Sequence, residues 1–167
     1  LECDIIINPN IYGGELDYGA YTVAAVLTGP AYNLVAPAFF EARANRQPQT
    51  PPRILISLGG TDDGQTGGPM AAAILSGADG SVDLVISPVM GAAAMISDLE
   101  AKWGVRLAVH RGADMARLMQ TASVLVCGGG VTVLEGLAAG LRPVAIHLAP
   151  DQVLNIAKLR QWGVAAF

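Results

Sequence analysis

Three consecutive glycines, at 128–130, lie directly before a segment, 132–139, that has the composition of a helix. A glycine loop that leads into a helix brings free backbone N–H groups and the positive end of the helix dipole to one point, and such a point binds phosphate. Glu135 lies one turn into that segment. Its carboxylate either interacts with the dipole and the capping N–H groups or accepts hydrogen bonds from ribose hydroxyls. The residues by themselves leave both interpretations open.

A second glycine pair precedes a polar cluster. Gly59 and Gly60 end an apolar run, and Thr61 and two aspartates follow them. Small residues let a backbone approach a ligand closely, while hydroxyl and N–H groups can contact phosphate oxygens. We therefore predict that this loop faces phosphate. The alternative is a tight turn that needs glycine only for its geometry.

A third polar segment, 147–152, lies at the end of another predicted strand, and Asn155 follows it in the next predicted helix. The amide side chains of Gln152 and Asn155 are suited to contact sugar hydroxyls. The alternative interpretation is that Asp151 caps the helix and that the segment is purely structural. His147 has no visible partner in the sequence, and we predict a structural role for it.

Several common kinds of site do not fit these residues. The glycine loop at 128–130 is not a P-loop, because no Gly-Lys-Ser/Thr follows it. It is also a poor dinucleotide motif, since Val133 occupies the third glycine position and no acid follows about 20 residues later. Cys3 and Cys127 lack the spacing of metal ligands and indicate a reducing compartment. Cys127 is predicted to be a packing residue and His110 a structural one.

The composition excludes other classes of protein. Of 167 residues, 52% are hydrophobic and 14% are charged, which rules out intrinsic disorder. The net charge of −4 and the lack of a basic patch argue against a nucleic-acid partner. Glycines, prolines and polar residues interrupt the apolar stretches, so we do not expect an integral membrane protein. No signal peptide is recognisable, and we expect a cytoplasmic protein.

The elements that would position these loops alternate regularly. The predicted fold is α/β: a Rossmann-like parallel sheet with helices on both faces, because strands of this kind are short, apolar and separated by helices. Within the regular part, strands are predicted at 53–58, 81–87, 105–110, 123–127, 143–148 and, as a further strand, 164–167. Helices are predicted at 66–77, 92–103, 115–119 with Asp114 as N-cap, 132–139 and 153–162. Ligands of such sheets bind at the carboxyl ends of the strands, where all three polar segments fall.

A proline-rich stretch, 47–52, divides the chain into two parts. Proline cannot donate to a sheet and favours extended backbone, so this stretch is predicted to be a linker. Before it, 1–46 holds one short predicted strand, 3–8, which is followed by a glycine- and tyrosine-rich loop and then by the segment 24–28. The chain starts without Met on a strand-like run, and we expect it to be a piece of a longer protein. Residues 53–167 are predicted to form one domain.

The same segments resemble a known family. The segments at 115–119, 122–126, 129–135 and 140–143 look like the C-terminal half of the PseG-like UDP-sugar hydrolases of pseudaminic acid biosynthesis, to which the SpsG spore-coat proteins are similar. Residues 57–62, Ser-Leu-Gly-Gly-Thr-Asp, resemble that family's S-F-G-G-S-D loop. The Gly-Gly…Glu element is shared with the wider GT-B glycosyltransferases, including MurG. The polar pattern from Gln152 to Asn155 also resembles MurG.

The resemblance implies a role for each matching position. Glu135 would bind the ribose of UDP. The N-terminus of its helix would hold the pyrophosphate, and the first loop would face the phosphates from the other side. Gln152 and Asn155 would lie near the sugar. The implied UDP-binding residues are thus Gly60, Thr61, Gly129, Gly130, Val131, Thr132 and Glu135. No metal or other cofactor is implied, because no acidic cluster suits Mg²⁺. The family's catalytic His lies in the other domain, so no catalytic residue is assigned in this chain.

These expectations define a function. The chain is expected to be the nucleotide-sugar-binding C-terminal domain of a two-domain GT-B enzyme of bacterial surface-sugar biosynthesis. Residues 1–46 would then be the end of the N-terminal domain and the interdomain segment. The expected partners are a UDP-sugar and the missing N-terminal domain, without which the chain would be inactive. The first expectation is a nucleotide-sugar hydrolase, and the alternatives are a glycosyltransferase and a nucleotide-binding module without chemistry of its own.

Overall fold

The computed structural model describes residues 3–21, 24–88 and 92–167. Within them, strands and helices alternate almost throughout. The strands are β1 (Ile5–Asn8), β2 (Ala25–Thr28), β3 (Arg53–Ser57), β4 (Ser81–Ile86), β5 (Leu107–Arg111), β6 (Val124–Gly128), β7 (Pro143–Ile146) and β8 (Ala165–Ala166). The helices are α1 (Pro37–Ala44), α2 (Gly67–Gly77), α3 (Ala93–Trp103), α4 (Met115–Thr121), α5 (Val131–Ala138) and α6 (Val153–Gln161).

The main sheet is parallel and has the order β5-β4-β3-β6-β7-β8. The chain runs outward from β3 to β5 and then returns through α4 to place β6 on the other side of β3. The strand order therefore reverses between β3 and β6, which is the position where open α/β sheets bind ligands. The predicted parallel α/β sheet is confirmed, and the segment at 164–167 supplies its sixth strand.

The two faces of the sheet carry different helices. On one face, α2 and α3 cover β3, β4 and β5, with Leu75 and Ile96 packing against Ile56 and Leu84. On the other face, α4, α5 and α6 cover Leu55 and Leu125 through a second cluster of buried side chains: Met119, Val133, Ile156 and Leu159. Helices on both faces were predicted from the run of apolar strands, and this too is confirmed.

Helix α1 was not predicted. It begins at Pro37 in its first turn, and it buries Phe39 and Ala42 in the same core as α4, α5 and α6. Helix α1 thus packs on α4 and α5, in the core that covers one face of the main sheet. The linker lies beside the end of α4, where the Gln47 N–H donates a hydrogen bond to the Gln120 carbonyl at 2.8 Å. The division of the chain at 47–52 stays a prediction about domains.

The sheet contains a buried carboxylate, Asp83, with two partly exposed basic partners. Asp83 of β4 has no exposed surface, and its carboxylate accepts hydrogen bonds from Arg53 of β3 and His110 of β5. The Arg53 Nη2–Asp83 Oδ1 and His110 Nε2–Asp83 Oδ1 distances are both 2.7 Å. Burial by itself raises the pKa of Asp83, but the bonds from Arg53 and His110 outweigh it and bring that pKa below its ordinary value. His110 therefore has a structural partner, as predicted for it.

The first two strands lie apart from the main sheet. β1 and β2 pair in parallel, with Ile5 opposite Ala25 and Asn8 opposite Thr28. The loop that follows β1 returns to helix α6, where Glu15 and Lys158 form an ion pair. Among the residues described, no helix is long and apolar enough to cross a membrane.

Candidate functional site

Three loops meet at the carboxyl edge of the sheet. Ser57, the last residue of β3, lies opposite Cys127 of β6, so the β3–α2 and β6–α5 loops leave the sheet side by side. The β7–α6 loop joins them through Gln152, whose Oε1 accepts hydrogen bonds from the N–H groups of Gly129 at 3.0 Å and Leu148 at 3.3 Å. The three polar segments singled out in the sequence are thus neighbours in space.

Gly129 fits closely against helix α6. Its carbonyl accepts a hydrogen bond from Asn155 Nδ2 at 3.1 Å, while its N–H donates to Gln152. A Cβ built on Gly129 would lie 3.0 Å from Ile156 Cδ1, which is tighter than ordinary packing. A side chain at position 129 would therefore displace Ile156 of α6, and the N–H of Gly129 is already used within the protein.

Gly130, in contrast, borders open space. It is the N-cap of α5, no side chain caps the helix there, and a Cβ on Gly130 would have no atom within 4 Å. The first N–H groups of an α-helix have no partner within the helix. The donors of Val131 and Thr132 lie in this first turn. The helix end therefore offers an open group of backbone donors.

Glu135 lies behind these donors and is half-buried. No hydrogen bond joins its carboxylate to any residue that the structure describes. Burial raises the pKa of Glu135. Cys127 lies beneath the loop with no exposed surface; burial first, and the charge of Glu135 second, raise the pKa of its thiol to about 12. The predicted packing role of Cys127 is confirmed by its position in the core, and Glu135 is an acceptor without a hydrogen-bond partner among the described residues.

The β3–α2 loop is organised by Asp62. Asp62 Oδ1 accepts a hydrogen bond from the Gly64 N–H at 3.2 Å, and Oδ2 accepts one from the Gly67 N–H, also at 3.2 Å. The side chain thereby fixes the start of α2. Sequence reasoning did not give Asp62 this role. The signal was present, because an aspartate a few residues before a helix commonly binds the N–H groups that follow it.

The glycines of this loop leave its surface open. Gly59 adopts a φ of +107°, and a Cβ on Gly60 would have no atom within 4 Å. A pocket of about 380 Å³ adjoins the loop, lined among others by Thr61, Thr66 and Leu148. Because Leu148 belongs to the β7–α6 loop, the pocket lies between two of the three loops.

The two amides predicted near the sugar differ in freedom. Asn155 is 7% exposed, and both ends of its side chain are bonded: Oδ1 accepts from the Ile11 N–H at 3.1 Å, and Nδ2 donates to Asn10 Oδ1 at 3.2 Å and to the Gly129 carbonyl. Gln152 uses only its oxygen, and its Nε2 has no partner among the residues described. The structure thus brings both amides to the glycine loop, but leaves only Gln152 with a free donor. Sequence reasoning missed Asn10 and Ile11 entirely.

The carboxylates near the three loops do not form a cluster among the described residues. Within 3–21, 24–88 and 92–167, no three His, Cys, Asp or Glu side chains form a group that could hold a metal ion. Asp62 and Asp63 of the β3–α2 loop bind backbone N–H groups of their own loop. The polar groups at the loops are therefore N–H donors, hydroxyls, one amide and one carboxylate acceptor.

Comparison with known proteins places the fold. A solved structure of MurG from Acinetobacter baumannii is similar to it, with a TM-score of 0.64 and 22% sequence identity. The chain shares the fold of about half of MurG. The match covers 97% of this chain and 51% of the MurG chain. No protein-family model and no curated protein matches the sequence. The likeness to MurG is one of fold, and it agrees with the Rossmann-like α/β architecture expected from the sequence.

Proposed function

We propose that this chain is the nucleotide-sugar-binding part of a GT-B-type enzyme and that it binds UDP-sugars. The observation that carries the proposal is the β6–α5 junction. There an uncapped helix N-terminus, a glycine open to space and an unpaired carboxylate lie within two turns of one helix. The N–H groups there could bind an anion and the carboxylate could accept hydrogen bonds from hydroxyl groups. A nucleoside diphosphate contains both an anion and hydroxyl groups.

The diphosphate is assigned to the donors at the start of α5. The N–H groups of Gly130, Val131 and Thr132 and the positive end of the helix dipole favour negative charge there. Gly60 and Thr61 face the same edge of the sheet from the neighbouring loop, and the Thr61 hydroxyl can donate to a phosphate oxygen. As the bond to the sugar breaks, negative charge grows on the departing diphosphate. These fixed donors would stabilise that charge.

The ribose is assigned to Glu135. A carboxylate without a protein partner can accept hydrogen bonds from both ribose hydroxyls, and such charge-assisted bonds are stronger than neutral ones. The half-buried position of Glu135 disfavours its charged form in the empty protein, because the carboxylate loses hydrogen bonds to water. Ribose hydroxyls would replace those hydrogen bonds.

The sugar is assigned to the side of Gln152. Its Nε2 is the free donor of the third loop, and its Oε1 holds the loop in place through Gly129. Asn155 lies behind the glycine loop with its polar atoms bonded within the protein. We therefore assign the contact with sugar hydroxyls to Gln152 and a supporting role to Asn155.

Two reactions would start from this bound state. In both, the bond between the anomeric carbon and the diphosphate oxygen breaks, and UDP leaves. An acceptor hydroxyl attacks the carbon in a glycosyltransferase, and water attacks it in a hydrolase. The fold shared with MurG favours transfer, and the resemblance of residues 57–62 to the PseG-like loop favours hydrolysis. In either case the general base is assigned to a second, N-terminal domain in a cytoplasmic enzyme.

The release of UDP by the intact protein separates these reactions. UDP-hexoses and UDP-N-acetylhexosamines are supplied with and without a panel of hydroxyl acceptors, and free UDP is measured. Release without an acceptor supports hydrolysis, and release that depends on the acceptor supports transfer. UDP binding with no release under any condition would support the non-catalytic alternative, and failure to bind UDP would overturn the proposal.

A further inference from the structure

Helix α6 and Gln152, the residue directly before it, hold both polar groups of the Gly129 backbone. Gln152 accepts the Gly129 N–H at 3.0 Å, and Asn155, one turn later, donates to the Gly129 carbonyl at 3.1 Å. Gly129 and helix α6 are also in tight contact through Ile156. The peptide between Gly129 and Gly130 therefore has a fixed orientation relative to α6.

This orientation determines where the next donor points. In a trans peptide the C=O and the following N–H point in opposite directions. Because Asn155 holds the Gly129 carbonyl toward the protein interior, the Gly130 N–H is directed away from it, toward the open side of the loop. The side chain of Asn155 thus sets the direction of a donor that it does not itself contact.

Asn155 is in turn oriented by the segment that follows β1. The Ile11 N–H requires an oxygen, so it fixes Oδ1 on one side at 3.1 Å and leaves Nδ2 facing Gly129. Asn10 Oδ1 accepts from the same Nδ2 at 3.2 Å. Asn10 is held by Asn8, whose Oδ1 accepts from the Asn10 side chain at 2.9 Å. A chain of amides therefore runs from the end of β1 to the glycine loop.

We propose that Asn155, oriented by Asn10, is a positioning residue that directs the Gly130 N–H toward the diphosphate and makes the phosphate-binding geometry depend on the segment after β1. This inference rests on the proposed function for its ligand, but its structural core concerns the Gly130 peptide alone. A shift of residues 8–11 relative to α6 would turn that donor away. Ligand binding and the placement of this segment are then coupled.

Two variants and one control test the coupling in the intact protein. Asn155→Asp puts an oxygen where the donor to Gly129 stands. Asn10→Ala removes a partner of Asn155 without touching the loop. Lys158→Ala is the matched control, because Lys158 joins the same helix to the same segment through Glu15 but has no bond to Gly129. The readouts are the affinities for UDP and UMP by calorimetry and the Gly130 amide shift by NMR without ligand.

We expect Asn155→Asp to weaken UDP binding roughly ten- to hundredfold, as the loss of a charge-assisted hydrogen bond predicts. Asn10→Ala should weaken it about three- to tenfold. In both variants the ratio of UDP to UMP affinity should fall and the Gly130 amide should shift. Loss of overall stability would instead lower both affinities together. Lys158→Ala should change neither the ratio nor the amide shift.

The inference is overturned if Asn10→Ala leaves the Gly130 amide shift as in the unchanged protein, or if Lys158→Ala moves it equally far. Should Asn155→Asp fail to fold, Asn10→Ala and Lys158→Ala still decide the matter. If the unchanged protein does not bind UDP, the proposed function fails. The amide shifts of the unliganded protein would still show whether Asn10 and Asn155 orient the Gly130 peptide.

Discussion

Asp83 lies on a strand and Glu135 on a helix, and the surroundings of these two carboxylates are opposite. Asp83 is fully buried and is bonded to Arg53 and His110, so its pKa lies below the ordinary value. Glu135 is half-buried without a bonding partner among the described residues, and burial raises its pKa. The carboxylate of Asp83 is hydrogen-bonded within the protein. The carboxylate of Glu135 keeps free acceptor oxygens near the edge where the loops meet.

The contrast separates scaffold from site. A buried charge with partners stabilises the fold only as long as the partners remain. An unpaired, half-buried charge costs stability in the empty protein, and such groups concentrate at functional sites. The acid that looks more unusual in its bonding, Asp83, is therefore the structural one. Glu135 is the candidate for ligand binding.

The largest expected effect follows from removing the partner of Asp83. Arg53→Met should lower the free energy of unfolding by about 3 kcal/mol, because it leaves a buried carboxylate with His110 as its remaining partner. Urea unfolding measures this loss. Replacing both members, as Arg53→Met with Asp83→Leu, should recover most of it, since an apolar pair needs no charged partner. UDP affinity should stay unchanged in the folded variants. A cost below about 1 kcal/mol for Arg53→Met, the range of an exposed pair, would contradict the contrast.

The next effect concerns the ligand. Glu135→Gln should weaken UDP binding by about 2 kcal/mol, or roughly thirtyfold, because a neutral amide replaces a charged acceptor of ribose hydroxyls. Calorimetric titration measures it. Glu100→Gln, the same change on the exposed side of α3, is the control and should leave binding unchanged. Against 2′,3′-dideoxy-UDP, which lacks both hydroxyls, Glu135→Gln should have no effect. An equal loss against both nucleotides would show that Glu135 does not contact the ribose.

A smaller pair of effects distinguishes adjacent glycines. Gly129→Ala should cost about 1 to 3 kcal/mol of stability, because the new Cβ would lie 3.0 Å from Ile156 Cδ1. Gly130→Ala should change the free energy of unfolding by no more than about 0.5 kcal/mol, since its Cβ would enter open space. That same Cβ would lie where the diphosphate is assigned, so UDP affinity should fall. Unfolding and titration of both variants check this. Equal stabilities for the two would contradict the close packing of α6 on Gly129.

The smallest effects are in the dependence on pH. The raised pKa of Glu135 means that its contribution to stability is present below the unfolded-state pKa and is lost as pH rises through the folded one. Glu135→Gln should therefore raise the unfolding temperature near neutral pH. For Asp83, whose pKa is lowered, the contribution is present above the unfolded-state pKa and is lost as pH falls through the folded one. As the pH is lowered, UDP affinity should begin to fall at a pH above about 4.3, the ordinary pKa of Glu. Glu135→Gln should remove that pH dependence. Affinity that stays constant through that range would contradict ligand binding by an ionised Glu135.

Local signals explain what the sequence could reveal of the fold. Apolar runs followed by glycine marked the strands and loops of residues 53–167, and Asp114 caps α4 as predicted, accepting from the Arg117 N–H at 3.1 Å. Helix α1 escaped because it is one short segment of eight residues whose burial depends on α4 and α5, not on its own pattern. The glycine loop at 128–130 was recognisable because strand, loop and helix follow each other directly.

Contacts between distant residues could not be predicted in the same way. Asn155 and Asn10 are separated by 145 positions, and His110 and Asp83 by 27. Nothing in the residues near Asn155 shows that its amide is used by another segment, so its sequence pattern suggested a sugar ligand. Likewise, Asp83 lies in an apolar strand, and its hydrogen-bond partners depend on which strands lie beside it. The residue types therefore indicate which side chains can form hydrogen bonds, and the topology of the fold determines which of them are left without a partner in the protein.

The binding of UDP at the glycine loop is tested most directly by one titration. UDP, UMP and NADH are titrated into the protein and into its Glu135→Gln variant by calorimetry. If the β6–α5 junction holds the diphosphate and Glu135 the ribose, UDP binds more tightly than UMP and NADH, and the variant loses most of the UDP affinity. Equal affinities for the three ligands, or UDP binding that Glu135→Gln leaves unchanged, would contradict it.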